Sequence, residues 1–290
     1  MDNATGAGAY WCGVCRNGAF RAGIFAAMGL EHHRAGFGEP LVLVHGVGSR
    51  HQVWRPVLAA LAARHDVVAV DLPGFGASAP DGTVPSIEAQ AIRLEAFFAE
   101  HGLDRPHVAG NSMGGGIALE LARRGSARSA TAVSPVGFWT ARERAWAIGS
   151  LQATRRMLPA LRPALPALVS TAPGRALLFA QLAHRPWRLS GAEVIDAVDA
   201  FLGSAATPRA LELFREHTFH DAEELRGVPL TIAWGDHDRL LLPRQRERAR
   251  RLLPWARHVA LPGCGHVPFA DDPELLAAVL LAGARPAARR

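Results

Sequence analysis

The sequence predicts an α/β protein with a mostly parallel sheet, helices on both faces of that sheet, and an inserted all-helical lid. The first observation behind this prediction is that short runs of Val, Leu, Ile and Ala alternate with amphipathic helical stretches. Strands covered by helices on both faces are apolar throughout, and this alternation is typical of parallel sheets. The second observation is that the alternation stops between Pro135 and Leu225, where only helical stretches broken by prolines occur.

The first part of the chain, residues 1–29, shows no periodicity and is predicted to be a flexible leader outside the fold. The polar stretch Glu31–Arg34, followed by the turn Gly36–Gly38, predicts a hairpin at the edge of the sheet. Six later apolar runs have the length of buried strands: Leu41–Val44, Val67–Val70, His107–Ala109, Ala130–Val133, Leu230–Trp234 and His258–Leu261.

Helix start signals occur on both sides of the break in the alternation. They precede helices predicted over Ile87–His101 after Ser86, Arg209–His217 after Thr207 and Pro208, Glu274–Leu281 after Asp272 and Pro273, and the segment opened by the capping box Ser190–Glu193. The elements together predict a core domain of residues 30–136 and 226–290, with a helical cap domain of residues 137–225 inserted into it.

The composition is that of a globular protein of 290 residues, with 49% hydrophobic and 20% charged side chains. Basic residues exceed acidic ones by 32 to 26, a net charge of +6. All the basic residues are arginines, whereas surfaces that track phosphate are normally rich in lysine as well. We therefore predict a small-molecule substrate and no nucleic-acid partner.

The cysteines and the hydropathy limit the other function classes. Cys12, Cys15 and Cys264 are too few for a disulfide framework. Cys12 and Cys15 have the spacing of half a zinc site, but no second ligand pair follows them, so no metal site is predicted. No apolar run reaches the roughly 18 residues that cross a bilayer. We predict a cytoplasmic protein with no membrane contact and no cofactor.

The segment Gly110-Asn111-Ser112-Met113-Gly114 lies between a predicted strand and a predicted helix. A G-x-S-x-G in this context is typical of a nucleophile elbow, in which side chains at Gly110 and Gly114 would collide with neighbouring backbone. The helix that follows directs its N-terminal amides at Ser112. The motif alone does not decide the role of the serine, because a serine before a helix is also an ordinary N-cap.

Two later motifs supply the partners that a serine nucleophile needs. A serine hydroxyl requires a histidine base, which is itself oriented by a carboxylate. Asp236 and Asp238 follow the strand Leu230–Trp234, and His266 follows the last predicted strand. These side chains lie at the carboxyl ends of parallel strands, where open α/β sheets build their sites.

Together with His45-Gly46 and the segment Asp71–Ser78, these motifs resemble the α/β-hydrolase superfamily. The resemblance extends over about residues 30–281 and implies the α/β-hydrolase fold. It also implies that Ser112 is the nucleophile, His266 the general base and Asp238 the orienting acid, with Asp236 as the alternative acid.

The resemblance further implies an oxyanion hole formed by the backbone N–H groups of Val47 and Met113. Gly110 and Gly114 are the supporting glycines of the elbow. His45 and Gly46 are expected to shape the oxyanion loop through hydrogen bonds, since His45 has no partners at metal-ligand spacing.

Several hydrolase subclasses share this fold. Ser112 stands where epoxide hydrolases and dehalogenases have an aspartate, which disfavours both. The string Gly-Asn-Ser-Met-Gly-Gly is similar to that of meta-cleavage product hydrolases, which cut carbon–carbon bonds. However, the first loop lacks their longer insertion, and Val267 follows His266 where they usually have Trp. The resemblance therefore implies hydrolysis of an ester or thioester with an apolar group through an acyl-enzyme.

Carbon–carbon hydrolysis is the closest alternative, followed by perhydrolase or haloperoxidase-like activity. A non-catalytic binding protein of the same fold is the alternative from a different class. The presence of every triad member and both elbow glycines favours the enzyme.

Overall fold

The structure is a computed structural model that describes residues 29–284. Most of the predicted leader, with Cys12 and Cys15, therefore lies outside the described residues. One sheet contains β1 (His32–Ala35), β2 (Pro40–Val44), β3 (Asp66–Val70), β4 (His107–Asn111), β5 (Ser129–Val133), β6 (Leu230–Gly235) and β7 (Arg257–Leu261). The order across this sheet is β1-β3-β2-β4-β5-β6-β7. All neighbours are parallel except β1, which runs antiparallel to β3. The mostly parallel sheet is thus confirmed.

The interpretation of the first strand as part of a hairpin is wrong. β1 pairs with β3, whereas β2 lies on the other side of β3, so the chain crosses the end of β3 between them. Gly36 in this crossing has a φ of +87°, and a Cβ on it would lie 2.2 Å from the carbonyl oxygen of His65. The polar pattern identifies an edge strand, but it does not identify the strand with which that edge pairs.

Helices cover both faces of the sheet, as predicted. One face is packed by α2 (Ile87–Glu100) and α3 (Met113–Arg123), and the other by α1 (Arg55–Ala62) and α11 (Pro273–Gly283). Alternate residues of the central strands point to opposite sides: Val42 and Val44 pack with the first pair of helices, and Leu41 and Leu43 with the second. The strands are therefore buried on both faces, which explains their uninterrupted apolar sequence.

Between β5 and β6 the chain is helical, and we call residues 137–225 the helical insertion. It contains α4 (Ala141–Leu161), α5 (Leu165–Ser170), α6 (Ala172–Phe179), α7 (Gly191–Gly203) and α8 (Thr207–Leu213). The predicted capping box Ser190–Glu193 opens α7. The helix predicted to reach His217 ends at Leu213 instead. The helical character of this region agrees with the sequence, whereas its role as a lid stays a prediction.

A buried acid anchors the start of the helical insertion to the core. The carboxylate of Glu143 in α4 accepts hydrogen bonds from Arg244 and Arg248 of α9 (Arg244–Leu252). Arg248 also donates to the carbonyl oxygen of Phe138 (2.6 Å).

Within residues 29–284, no helix combines the length and apolar character that crossing a bilayer requires.

Two glycines in the helices of the insertion give a matched test of its packing. Gly149 in α4 has no atom within 4 Å of the position that a Cβ would take, whereas a Cβ on Gly174 in α6 would lie 1.9 Å from the carbonyl oxygen of Leu168. We expect Gly149→Ala to raise the free energy of unfolding by about 0.5–1 kcal/mol, because alanine favours the helix. We expect Gly174→Ala to lower it by about 1–3 kcal/mol through overpacking. Urea unfolding measures both, and equal effects would contradict the close approach of α5 and α6.

Candidate active site

The nucleophile predicted from sequence lies in a strained turn between β4 and α3. Ser112 has a φ of +58° and a ψ of −115°, a backbone conformation that non-glycine residues seldom adopt. Its N–H donates to the carbonyl oxygen of Val133 (2.9 Å), and its own carbonyl oxygen accepts from the N–H of Gly116 (3.1 Å). These bonds hold the turn on both sides.

The two glycines of the elbow are required by close backbone contacts. A Cβ on Gly110 would lie 2.0 Å from the carbonyl oxygen of Gly114. A Cβ on Gly114 would lie 2.1 Å from the carbonyl oxygen of Val44 in β2. The steric reason that the sequence offered for both glycines is thus present, and it brings the start of α3 against β2.

Asp238 follows β6 and His266 follows β7, and their side chains are hydrogen-bonded. Nδ1 of His266 lies 2.8 Å from Oδ2 of Asp238. Because a carboxylate oxygen accepts, Nδ1 carries a proton in this hydrogen bond. Oδ1 of Asp238 accepts from the N–H groups of Leu240 (2.9 Å) and Leu241 (2.8 Å). The acid is therefore fixed by the main chain and in turn fixes the orientation of the imidazole.

Asp236, the alternative acid, lies on the same loop and turns elsewhere. Its Oδ1 accepts from the N–H of Gly263 (2.8 Å), and its side chain is 42% exposed. The side chain of Asp238 is fully buried. The structure therefore brings Asp238, and not Asp236, to His266.

The loop after β2 lies directly against the serine. A Cβ on Gly46 would lie 3.3 Å from the Cβ of Ser112. Val47 comes next in this loop, and Met113 is the first residue of α3. The first N–H groups of a helix have no acceptor within it, so the Met113 N–H is available to a ligand. The role of Val47 and Met113 as oxyanion donors stays a prediction.

His45 holds this loop in place from a fully buried position. Its Nδ1 lies 2.7 Å from the carbonyl oxygen of Gly46, and the N–H of Leu72 donates to its Nε2 (3.1 Å). Only the neutral ring with its proton on Nδ1 makes both bonds. Burial lowers the pKa of His45 below its ordinary value, which favours this neutral form. These bonds join His45 to the loops after β2 and β3, and its role in shaping an oxyanion loop stays a prediction.

The helical insertion contacts two loops beside the predicted site, in each case at a glycine. A Cβ on Gly48 would lie 2.2 Å from the ring of Phe201 in α7. A Cβ on Gly74 would lie 2.8 Å from Ala206. Ser112 itself is 5% exposed.

Other reactive groups near the site do not compete with the serine. Burial raises the pKa of the Cys264 thiol to about 12, so the thiolate nucleophile is not formed at neutral pH. Among residues 29–284, no group of three or more His, Cys, Asp or Glu side chains is placed to hold a metal ion.

Sequence reasoning missed three residues that contact the predicted triad or its loops. The side-chain amide of Asn111 donates to the carbonyl oxygen of His266 (3.0 Å). The ring of His184 stacks on that of His237, with centroids 3.7 Å apart. Asp271 accepts from the N–H of Gly265 (2.7 Å). Asn111 stood within the serine motif, but its partner is distant in sequence, so the motif did not reveal this contact.

Comparison with known proteins shows the family to which the chain belongs. The sequence model of the Alpha/beta hydrolase family matches residues 41–279. Lipase 3 of Moraxella sp. (strain TA144) is 25% identical to this chain over 242 residues, which cover 81% of this chain and 73% of the lipase.

Two solved structures show the same likeness. An esterase from Thermogutta terrifontis has a TM-score of 0.69 at 22% identity, covering 87% of this chain and 92% of the esterase, which is a likeness of fold. A bacterial membrane phospholipase A has a TM-score of 0.66 at 28% identity, covering 93% of this chain and 91% of the phospholipase.

The buried histidine of the β2 loop predicts a pH dependence of stability. The unfolded chain has an ordinary imidazole pKa of about 6.5, while the folded pKa of His45 is lower, so the unfolded state binds a proton first as the pH falls. The contribution of neutral His45 to the free energy of unfolding is complete above about pH 6.5 and is lost as the pH falls below this value. We expect His45→Gln to reduce the slope of unfolding free energy between about pH 7.5 and 5, measured by urea unfolding. Equal slopes in the wild type and in His45→Gln would contradict the prediction.

Proposed function

The chain belongs to the alpha/beta hydrolase family and is a hydrolase, and from this premise we propose that it cleaves carboxylic esters or thioesters through an acyl-enzyme. The observation that carries this proposal is the buried hydrogen bond between Asp238 and His266, at the same sheet edge as the elbow serine. A lipase and a phospholipase A are 25% and 28% identical to this chain over the aligned residues. Their names support an ester as the substrate.

The proposed reaction begins at Ser112. Nε2 of His266 takes the proton from the serine Oγ as the oxygen attacks the carbonyl carbon of the ester. Asp238, bonded to Nδ1, stabilises the imidazolium that forms. His266 then gives this proton to the departing alcohol oxygen as the tetrahedral intermediate collapses to the acyl-enzyme. Water, activated by the same histidine, releases the acid and restores the serine.

The negative oxygen of the intermediate is assigned to the N–H groups of Val47 and Met113. Met113 begins α3, so the positive end of the helix dipole lies at the same place. His45 and Gly46 support the first donor, because their hydrogen bond shapes the loop that carries Val47. Loss of one such donor typically costs about 10²–10³ in rate.

The substrate group beside this loop is expected to be apolar. The ring of Phe201 covers Gly48, directly after the proposed oxyanion residue Val47. Phe201 also packs with a small apolar cluster inside the helical insertion. An alkyl or aryl group of the substrate that took the place of the Phe201 ring against Gly48 would remain shielded from water. We accordingly assign residues 137–225 as a cap that excludes water from the acyl-enzyme.

The role of Ser112 is tested by replacing it with alanine. Ser112→Ala should abolish labelling by a fluorophosphonate probe and lower hydrolysis of p-nitrophenyl butyrate by about 10³–10⁶-fold. Ser134→Ala is the matched control, since Ser134 is also buried at a strand end with a positive φ of 43°. Labelling that survives in Ser112→Ala, or that is lost in Ser134→Ala, would contradict the assignment.

A substrate panel then tests the class of reaction. The wild-type enzyme is compared on p-nitrophenyl esters of increasing acyl length and on a dienol substrate of the carbon–carbon type. We expect the highest kcat/KM for an ester with an apolar acyl chain. A higher kcat/KM for the dienol would contradict the proposed ester hydrolysis and favour carbon–carbon hydrolysis.

The two acids of the β6 loop give a second test. Asp238→Asn should lower kcat by about 10⁴, because an amide donates to Nδ1 and favours the wrong tautomer. Asp236→Asn should leave kcat almost unchanged, since this acid bonds to Gly263 and not to His266. Initial rates on the best ester measure both variants. Equal losses in the two would show that the orienting acid has been misassigned.

A further inference from the structure

Asp271 is a fully buried acid whose carboxylate accepts three backbone N–H groups. It ends the short helix α10 (Pro268–Asp271). Oδ1 accepts from Arg185 (2.6 Å), and Oδ2 accepts from His184 (2.9 Å) and Gly265 (2.7 Å). Both oxygens are therefore engaged, and each donor comes from main chain.

These donors belong to two separate parts of the molecule. Gly265 directly precedes the proposed base His266, whereas His184 and Arg185 lie in the helical insertion. A bond between main-chain groups also joins these two parts, because the N–H of Val267 donates to the carbonyl oxygen of Leu182 (3.0 Å). The residues on both sides of His266 are thus held to one short segment of the helical insertion, residues 182–185.

The close packing of the two parts leaves little room for independent movement. A Cβ on Gly265 would lie 2.6 Å from the carbonyl oxygen of Leu182. The segment also reaches the loop of the orienting acid, since the ring of His184 stacks on His237, directly before Asp238. One segment of the helical insertion therefore contacts the loops that carry both the proposed acid and the proposed base.

The burial of Asp271 couples these contacts. A carboxylate away from water needs hydrogen-bond donors, and separation of either part would leave it short of them. On the core side, His266 is held by Asn111, which donates to its carbonyl oxygen. On the other side, the hydrogen bonds of Asp271 link the loop of His266 to the helical insertion.

We propose that Asp271 is a positioning residue, which fixes the proposed base His266 by tying the His266 loop to the helical insertion. This inference rests on the proposed function for its effect on the reaction. It adds that His266 is correctly placed only while residues 182–185 are docked on its loop. Closure of the helical insertion and correct placement of the base therefore occur together.

The structural part of the proposal is tested by hydrogen–deuterium exchange of the full chain. Asp271→Ala removes the acceptor of all three hydrogen bonds. Asp271→Asn keeps one acceptor oxygen, but its amide NH2 group can only donate and therefore faces N–H groups that it cannot satisfy. In both variants we expect residues 182–188 and 263–267 to lose protection together, more strongly in Asp271→Ala. Unchanged protection in both segments, or loss in one alone, would overturn the coupling.

Asp81→Asn is the matched control. The Asp81 side chain is 4% exposed and accepts from the Thr83 N–H and from Arg93, and these bonds reach neither segment. We expect this variant to lose stability without loss of protection in residues 182–188 or 263–267. Loss of protection in both segments of Asp81→Asn would show a general loosening and would overturn the specific role of Asp271.

Kinetics on the best ester test the positioning of the base. A misplacement of about 1 Å can cost about 10²-fold in rate, so we expect Asp271→Asn to lower kcat by about 10–100-fold while KM changes little. A change in KM alone, or a kcat equal to wild type in a variant whose two segments exchange faster, would overturn the positioning role. If the wild type neither hydrolyses esters nor reacts with the fluorophosphonate, the proposed function fails, and the exchange experiment still decides whether Asp271 joins the two segments.

Discussion

The close contact between three pieces of backbone at the serine turn is the constraint on which the site depends. Gly110 and Gly114 have no side chains, so the start of α3 packs against both β4 and β2. This contact forces Ser112 to a positive φ and brings it against Gly46 of the next loop. The strain at one residue is supported by the hydrogen bonds on either side of it, and the serine is thereby presented at the edge of a rigid sheet.

The helical insertion is attached to this edge in a similar way. It meets the loops after β2, β3 and β7 at Gly48, Gly74 and Gly265, where the lack of a side chain allows close approach. Polar contacts are concentrated at the last of these loops, where Asp271 binds main chain of both parts. The loop of His266 and the helical insertion therefore share these contacts.

Local pattern was sufficient for most of the fold. Apolar runs identified the buried strands because a parallel strand has no polar face, and the capping box opened α7 where it was expected. The prediction of a hairpin at β1 was wrong because strand pairing is a property of the whole sheet. A polar edge strand is compatible in sequence with pairing to either β2 or β3. The histidine and the elbow serine were recognisable from their glycine-rich surroundings, whereas Asn111 and Asp271 were not, since their partners are distant along the chain.

The sequence by itself determined the order of strands and helices, the strained serine turn and the candidate acids and base, because each of these follows from short-range pattern and steric need. Only the tertiary structure decided between Asp238 and Asp236, because the two acids differ in where their side chains turn, and only one is buried against His266. It also shows that main-chain N–H groups of the helical insertion and of the His266 loop donate to the same carboxylate, that of Asp271. Such contacts join residues far apart in the chain, and a buried carboxylate needs all its donors at once.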